Sequence, residues 1–353
     1  MKKILTVLGA RPQFIKAAAF SRAIKNYPNI EEVIIHTGQH YDQNMSDIFF
    51  QEMDIPTPQY QLKTGGQTHG AMTGQQLEKI EEILFIEKPD MVLVYGDTNS
   101  TLAGALAAVK FHIPVAHVEA GLRSFNRSMP EEINRILTDQ ISDYLFVPSI
   151  KAKQNLINEG ISEEKIFIVG DIMYDVSIFY KEKMIKPSWF DKLCLESYAL
   201  CTIHRAENTD NIEKLERIFK GLSDSGKDII LPLHPRTLKK IEECNITINS
   251  NIKVVEPIGY LEMIWLEVNS DLIITDSGGV QKEAYFHGKK CITLRKETEW
   301  VELVEANVNT LVGSDTEKLA SALNNTEYKC MNNEIYGTGQ TSNLIIETLV
   351  ENL

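Results

Sequence analysis

The sequence predicts an α/β protein built from two doubly wound parallel sheets. Three observations lead there. Short apolar runs of strand length recur along all 353 residues, most of them followed by a polar or glycine turn and then a helical pattern. Strands and helices alternate rather than segregate, as a parallel sheet with crossover helices requires. The two halves also rhyme: residues 91–98, a helix and 113–119 are matched by 272–277, a helix and 290–297.

The elements follow in order. Residues 4–8 form a strand that ends in Gly9-Ala10-Arg11-Pro12, and a helix runs from about 13 to 26. Pro12 suits a helix start, where its missing N–H costs nothing. Arg11 and Lys16 then stand near the ligand end of the sheet. Residues 32–36 are the second strand. They lead into Thr37-Gly38-Gln39-His40-Tyr41, which makes His40 a contact candidate, and then a helix at 45–53. Residues 54–69 form a long connection of the kind used for lids, closed by a helix at 72–87. The strand at 91–95 ends in Gly96-Asp97, and the strand at 113–118 ends in Glu119. Neighbouring strands thus deliver acids to their C-terminal ends, the edge where open α/β sheets bind ligands. Pro130-Glu131-Glu132 opens a helix that carries Arg135. A strand at 144–148, a helix at 151–159 and a strand at 166–169 complete the first half.

Residues 171–195 read as a helix and then a linker. The second half begins with a strand at 198–203 that ends in His204-Arg205, a helix at 211–223, and a strand at 229–233 that ends in His234-Pro235-Arg236. Two strand-end imidazoles, each beside an arginine, suit an anion pocket. A strand at 252–255 and a helix at 260–269 precede the most informative stretch. There a strand at 272–275 runs into Asp276, Ser277, Gly278 and Gly279, and a helix follows through Glu283. Small residues admit an anion to the free N–H groups of the helix start, so this reads as a phosphate seat. Residues 290–294 and 307–312 are the last strands, with Arg295 and Glu299 after the first of them. Helices at 316–325 and 342–352 end the chain.

Composition narrows the function. The chain is 43% hydrophobic and 24% charged, as in soluble globular proteins. A net charge of −13 disfavours nucleic acid and anionic membrane as partners, and leaves any anionic ligand to be held by local groups. The five cysteines are scattered, with no metal-ligand spacing, which fits reduced thiols in a cytoplasmic protein. No apolar stretch is long enough to span a bilayer. Neither GxGxxG nor GxxxxGK[ST] occurs, so the fingerprints of dinucleotide and P-loop sites are missing.

The blocks Gly9-Ala10-Arg11-Pro12-Gln13-Phe14-Ile15-Lys16, Thr37-Gly38-Gln39-His40, Tyr95-Gly96-Asp97-Thr98 and His117-Val118-Glu119-Ala120-Gly121-Leu122-Arg123 belong together. So do Pro130-Glu131-Glu132-Ile133-Asn134-Arg135, His204-Arg205, the run from Thr275 to Glu283, Arg295 to Glu299, and Tyr336-Gly337-Thr338-Gly339-Gln340. In this order they resemble the non-hydrolysing UDP-N-acetylglucosamine 2-epimerases. The resemblance implies two Rossmann-like domains facing a cleft, as in two-domain nucleotide-sugar glycosyltransferases (the GT-B fold). Residues 1–169 would carry the carboxylates, 170–336 would bind UDP, and 337–353 would pack back on the first domain.

The resemblance further implies C2 epimerisation of a UDP-linked N-acetylhexosamine, with UDP expelled and re-added around a bound 2-acetamidoglucal. It implies catalytic roles for Asp97, Glu119, Glu131 and His204. It implies UDP-sugar contacts from Arg11, Lys16, His40, Arg135, Arg205, His234, Ser277, Gly278, Gly279, Glu283, Arg295 and Glu299. No metal or other cofactor is expected, and a homodimer is. One position departs from the pattern: Ala206 stands where the typical enzyme has a second arginine that serves an activating UDP-GlcNAc. Together with Gly96-Asp97-Thr98-Asn99-Ser100, it also resembles a subgroup acting on UDP-2,3-diacetamido-2,3-dideoxy-glucuronate. A glycosyltransferase of the same fold, a hydrolysing relative and a non-catalytic UDP-sugar binder are the competing readings.

Overall fold

The computed structural model describes residues 1–39, 57–325 and 334–352. The helix expected at 45–53 and the contact candidate His40 lie outside the described residues. The chain divides into two compact units, Met1–Val176 with Glu334–Leu353, and Ser177–Asn333.

Unit 1 opens with β1 (Lys2–Leu8), α1 (Arg11–Ile24) and β2 (Ile30–His36). The connection expected at 54–69 contains a two-residue strand, β3 (Tyr60–Gln61), which pairs parallel to the end of β2. There follow α2 (His69–Glu87), β4 (Met91–Tyr95), α3 (Asn99–Lys110), β5 (Val115–Val118), α4 (Pro130–Ile141), β6 (Tyr144–Val147), α5 (Ile150–Asn158) and β7 (Ile166–Ile168). The seven strands form one parallel sheet in the order β3-β2-β1-β4-β5-β6-β7. β4 is fully buried along its length, as its unbroken apolar run requires of a strand covered on both faces. The chain order reverses between β1 and β4, so the strand ends at Leu8 and Tyr95 flank the switch point. Gly9 is required there by close approach: a Cβ on it would lie 1.9 Å from Ser100 Oγ and 2.4 Å from Thr37 Oγ1.

α6 (Ile172–Lys181) leads from unit 1 into unit 2. Unit 2 continues with β8 (Ala199–Thr202), a single turn α7 (Ala206–Thr209), α8 (Ile212–Asp224), β9 (Ile229–Pro232), α9 (Pro235–Glu243), β10 (Ile252–Val255) and α10 (Tyr260–Asn269). Then come β11 (Leu272–Thr275), α11 (Gly278–Phe286), β12 (Lys290–Thr293), α12 (Val301–Glu305), β13 (Asn309–Leu311) and α13 (Thr316–Asn324). The six strands are parallel in the order β10-β9-β8-β11-β12-β13, which repeats the order of the first six strands of unit 1. The switch point lies between β8 and β11. α9 escapes the sequence pattern because its core-facing side is short: Thr237 and Ile241 are buried, and Leu238 packs partly buried against the core. α12, five residues long, is too short to show a period.

The last helix, α14 (Thr341–Asn352), belongs to unit 1 and packs on α1. Its start is held by Asp175 of α6, whose carboxylate accepts from Thr341 N at 3.0 Å and Ser342 N at 2.7 Å. Among the described residues no helix is long and apolar enough to cross a membrane. Nor, among them, do three or more His, Cys, Asp or Glu side chains gather as a metal site would need.

Candidate active site

In unit 1 the switch point is braced by Gln13. Its Oε1 accepts from Gly9 N at 2.8 Å and Ala10 N at 3.0 Å, and its Nε2 donates to Tyr95 O at 2.7 Å. One buried amide thus ties the turn after β1 to the end of β4. Arg11 is the first residue of α1. Lys16, one turn further on, donates through Nζ to Glu119 Oε2, with both side chains largely buried. Glu119 follows β5 at φ 67°, a left-handed conformation that costs energy for a residue with a side chain and is held by its surroundings.

Asp97 stands two residues past β4. Its Oδ2 meets Arg135 Nη2 at 2.5 Å, and its side chain remains 31% exposed, open to a ligand. Arg135 also donates to Glu132 Oε2 at 2.8 Å. Burial opposes ionisation of Glu132. The N–H groups of Ser124 and Phe125, each at 2.9 Å, and Arg135 outweigh that and hold its carboxyl below the usual range. The acid pair at the start of α4 is therefore divided: Glu132 is a buried loop anchor, and Glu131 is exposed. Asp97 does not cap α3; Thr98 does, with Oγ1 accepting from Thr101 N at 3.3 Å. The polar groups here are paired carboxylate to cation, Glu119 with Lys16 and Asp97 with Arg135. Both pairs are charge-assisted and stand at the same sheet edge.

In unit 2 the corresponding edge is built around Asp276, which is fully buried. Its carboxylate accepts from His204 N at 3.1 Å, Arg205 N at 3.0 Å and Asn208 Nδ2 at 3.0 Å, and lies 3.2 Å from His204 Nδ1. Asp276 is therefore a loop organiser. It orients His204, whose side chain is 58% exposed, and Arg205, the N-cap residue of α7. His234 is the N-cap of α9, with Nδ1 accepting from Arg236 N at 3.2 Å. His204 and His234 share a cavity of about 290 Å³ with Ala206, Arg236 and Lys240.

Ser277 caps α11, and the N–H groups of Gly278 and Gly279 lie in the first turn, where no intrahelical acceptor exists. A Cβ on Gly278 would sit 2.5 Å from Glu299 Oε1, so glycine is what admits that carboxylate to the helix start. Trp300 Nε1 donates to Gly278 O at 2.9 Å, which locks the loop after β12 onto the same turn. Arg295 pairs with Glu299 at 2.8 Å. Burial would raise the Glu299 carboxyl, but a backbone hydrogen bond and the charge of Arg295 hold it low. Glu283 accepts from Tyr260 Oη at 3.2 Å; burial, and then the charge of Glu267, push its carboxyl up to about 8.

The sequence candidates thus fall into two clusters. Lys16, Asp97, Glu119 and Arg135 gather at the edge of unit 1. His204, Arg205, Ser277, Gly278, Gly279, Glu283, Arg295 and Glu299 line that of unit 2, with His234 beside His204. Glu131 is exposed on the first turn of α4. Sequence reading passed over Gln13, His117 and Asp139 as functional residues. The available signal was a polar side chain within or against an apolar strand, since buried polar groups are paired.

Residues 22–350 match the model of the family described as UDP-N-acetylglucosamine 2-epimerase. The chain belongs to that family. It is 51% identical over 356 residues to the UDP-2,3-diacetamido-2,3-dideoxy-D-glucuronate 2-epimerase of Pseudomonas aeruginosa, covering 99% of each chain. It is 47% identical over 361 residues to the UDP-N-acetylglucosamine 2-epimerase of Methanocaldococcus jannaschii, covering 98% of each. The crystal structure of that archaeal enzyme in complex with UDP-GlcNAc and UDP superposes with a TM-score of 0.84 over 99% of this chain and 100% of the other. The family is one of isomerases, and the α/β architecture with two parallel sheets agrees with it.

Proposed function

We propose that the protein interconverts UDP-N-acetylglucosamine and UDP-N-acetylmannosamine without net hydrolysis. A base takes the C2 proton while the C1–O bond breaks. The bonding pair leaves with the β-phosphate of UDP, and the C1–C2 double bond of a 2-acetamidoglucal forms. UDP then re-adds at C1, and an acid delivers a proton to the opposite face of C2. The reaction as written is redox-neutral and calls for no metal or cofactor.

The observation that carries this reading is the pair of strand-end carboxylates in unit 1, each with its own cation, Glu119 with Lys16 and Asp97 with Arg135. A weakly acidic C–H needs a positioned base, and inversion needs a proton donor on the other side. Pure binding of an anionic ligand gains nothing from acids there. Asp97, Glu119 and Glu131 are the proton-moving groups of the proposal. Unit 2 would hold UDP. The first-turn N–H groups of α11, with His204 and Arg205, take the diphosphate and the charge that develops on leaving. Glu283 accepts from the ribose hydroxyls, and Arg295 with Glu299 shapes the loop beside them; Lys16, Arg135, His40 and His234 complete the contacts. We further propose a cytoplasmic homodimer serving polysaccharide biosynthesis. The exposed apolar pair Phe85 and Ile86 on α2 supports self-association, and a monomeric mass by light scattering would overturn it.

A second reading, epimerisation of UDP-2,3-diacetamido-2,3-dideoxy-glucuronate, is favoured by the Pseudomonas relative and by Ala206. Incubating the protein with each UDP-sugar in deuterated water and following C2 by NMR tests both. Epimer formed with deuterium at C2 supports the chemistry and identifies the sugar. Free N-acetylmannosamine instead points to a hydrolysing enzyme. Unchanged sugar in both tubes refutes epimerisation.

A further inference from the structure

His117 lies inside the apolar strand β5 with no solvent exposure. Its Nδ1 is 2.7 Å from Asp139 Oδ1, and its Nε2 is 2.7 Å from the carbonyl oxygen of Gly96. The same Asp139 carboxylate accepts from Gly121 N at 3.1 Å and pairs with Arg123 Nη1 at 2.7 Å. Arg123 is fixed in turn by a two-point pair with Glu159, at 2.7 and 2.6 Å. The side chains of His117, Asp139 and Arg123 are at most 1% exposed.

A histidine that merely fills a core needs its ring nitrogens satisfied by whatever is near. Here the partners are two particular turns. The Gly96 carbonyl belongs to the peptide whose N–H is that of Asp97, and Gly96 is itself at φ 63°. Gly121 closes the turn that begins at Glu119, the residue at φ 67°. Asp139 therefore grips the Glu119 turn directly and the Asp97 turn through His117. Asn134, on the same helix α4, adds a third tie by donating to Asp97 O at 2.9 Å.

We propose that His117 and Asp139 form a positioning dyad that sets the spacing and aim of the Asp97 and Glu119 carboxylates. This rests on the reading of those two acids as proton-moving groups. The dyad itself touches no substrate. It acts because proton transfer depends steeply on placement: an error of about 1 Å in a reacting group costs on the order of 10²-fold in rate. Burial behind both turns keeps water from competing for the same hydrogen bonds.

The test uses the full chain with whichever UDP-sugar the wild type turns over. His117→Phe, His117→Gln and Asp139→Asn are compared for kcat, KM, C2 deuterium exchange and UDP affinity, each per folded molecule. His117→Phe is expected to lower kcat and C2 exchange together by about 10²-fold, with KM and UDP affinity changed by no more than about threefold. Gln retains an N–H donor for the Gly96 carbonyl, so His117→Gln is expected to recover about tenfold of that loss. Asp139→Asn keeps the size of the side chain but loses its charge pair with Arg123; it is expected to fall in the same direction, and it decides the matter if the Phe variant does not fold. A purely structural role predicts lower melting temperatures with kcat per folded molecule retained, and that result overturns the dyad. A wild type that exchanges no C2 hydrogen with either sugar overturns the epimerase reading first, and the dyad with it.

Discussion

Asp97 and Asp276 occupy like positions, each an acid just past the strand next to its sheet's switch point, and the two units use them oppositely. Asp97 stays partly open with its charge answered by Arg135. Asp276 is sealed in and spends its carboxylate on the N–H groups of His204 and Arg205. The same local pattern therefore yields a part-exposed, cation-paired acid in one unit and a structural one in the other. What differs is the partner supplied. In unit 1 the helix α4 brings a cation from outside the turn. In unit 2 the neighbouring loop brings backbone donors, and its imidazole is left facing out. An acid that keeps exposure remains available for chemistry; one that satisfies several buried donors cannot leave them without cost.

This contrast can be broken from either side. The largest expected effect is that of Asp97→Asn, which removes a carboxylate without changing its size. Turnover is expected to fall by roughly 10²–10⁴-fold, with thermal stability and UDP binding preserved; turnover within a factor of two of wild type would remove Asp97 from the chemistry. On the other side, His204→Ala is expected to lower kcat by roughly 10²–10³-fold, while circular dichroism remains native. Asp276→Ala should do something different in kind. It strands buried donors and is expected to cost unit 2 about 3 kcal/mol of stability, read from denaturant melts. A variant of unchanged stability but no activity would make Asp276 a reacting group after all.

A smaller effect sharpens the electrostatic side of the comparison. Glu267 on α10 is completely buried, and burial alone raises its carboxyl to about 8. His287 Nε2 lies 3.5 Å from its Oε2. Burial pushes that imidazole down to about 4, with the charge of Glu283 opposing. The folded chain thus holds a proton on Glu267 that the unfolded chain releases from about pH 4.5 upward. Stability contributed by that proton is full on the acid side and declines as pH rises toward 8. Glu267→Gln is expected to flatten this decline, melting a few degrees above wild type near pH 8.5 and close to it near pH 5. Equal slopes in the two proteins would show that Glu267 does not titrate there. The smallest expected effect concerns Ala206: saturation by UDP-GlcNAc is expected to be hyperbolic, and clear sigmoidicity in initial rates would restore an activating second substrate molecule.

Much of this is legible in the chain alone. The acids at 97 and 119 were visible because a strand end is a local event: an apolar run stops, and the next polar side chain must face the sheet edge. The small-residue helix start at 277–279 is visible for the same reason, since small residues between a strand and a helix are a local signal. Other features were hidden by their own composition. β3 is two residues within a loop, and α9 turns only a short face, Thr237, Leu238 and Ile241, to the core. Glu131 and Glu132 are equivalent in sequence. They part only because Glu132 meets the N–H groups of Ser124 and Phe125.

The sequence by itself determined the alternation of strand and helix, the doubly wound class, and the set of polar residues delivered to the strand ends. All of these depend on spacing along a few neighbouring residues. Only the tertiary structure decided which of those polar groups stay available and which are consumed. His117 reads as one polar letter in Val115-Ala116-His117-Val118, and its partners Asp139 and Gly96 arrive from α4 and from the end of β4. Asp276 likewise looks like a twin of Asp97 until β8 is laid beside β11 and hands it the backbone of His204. Burial and hydrogen-bond partners come from segments distant in the chain, and they set the free energy that makes one carboxylate a buried anchor and leaves another partly open.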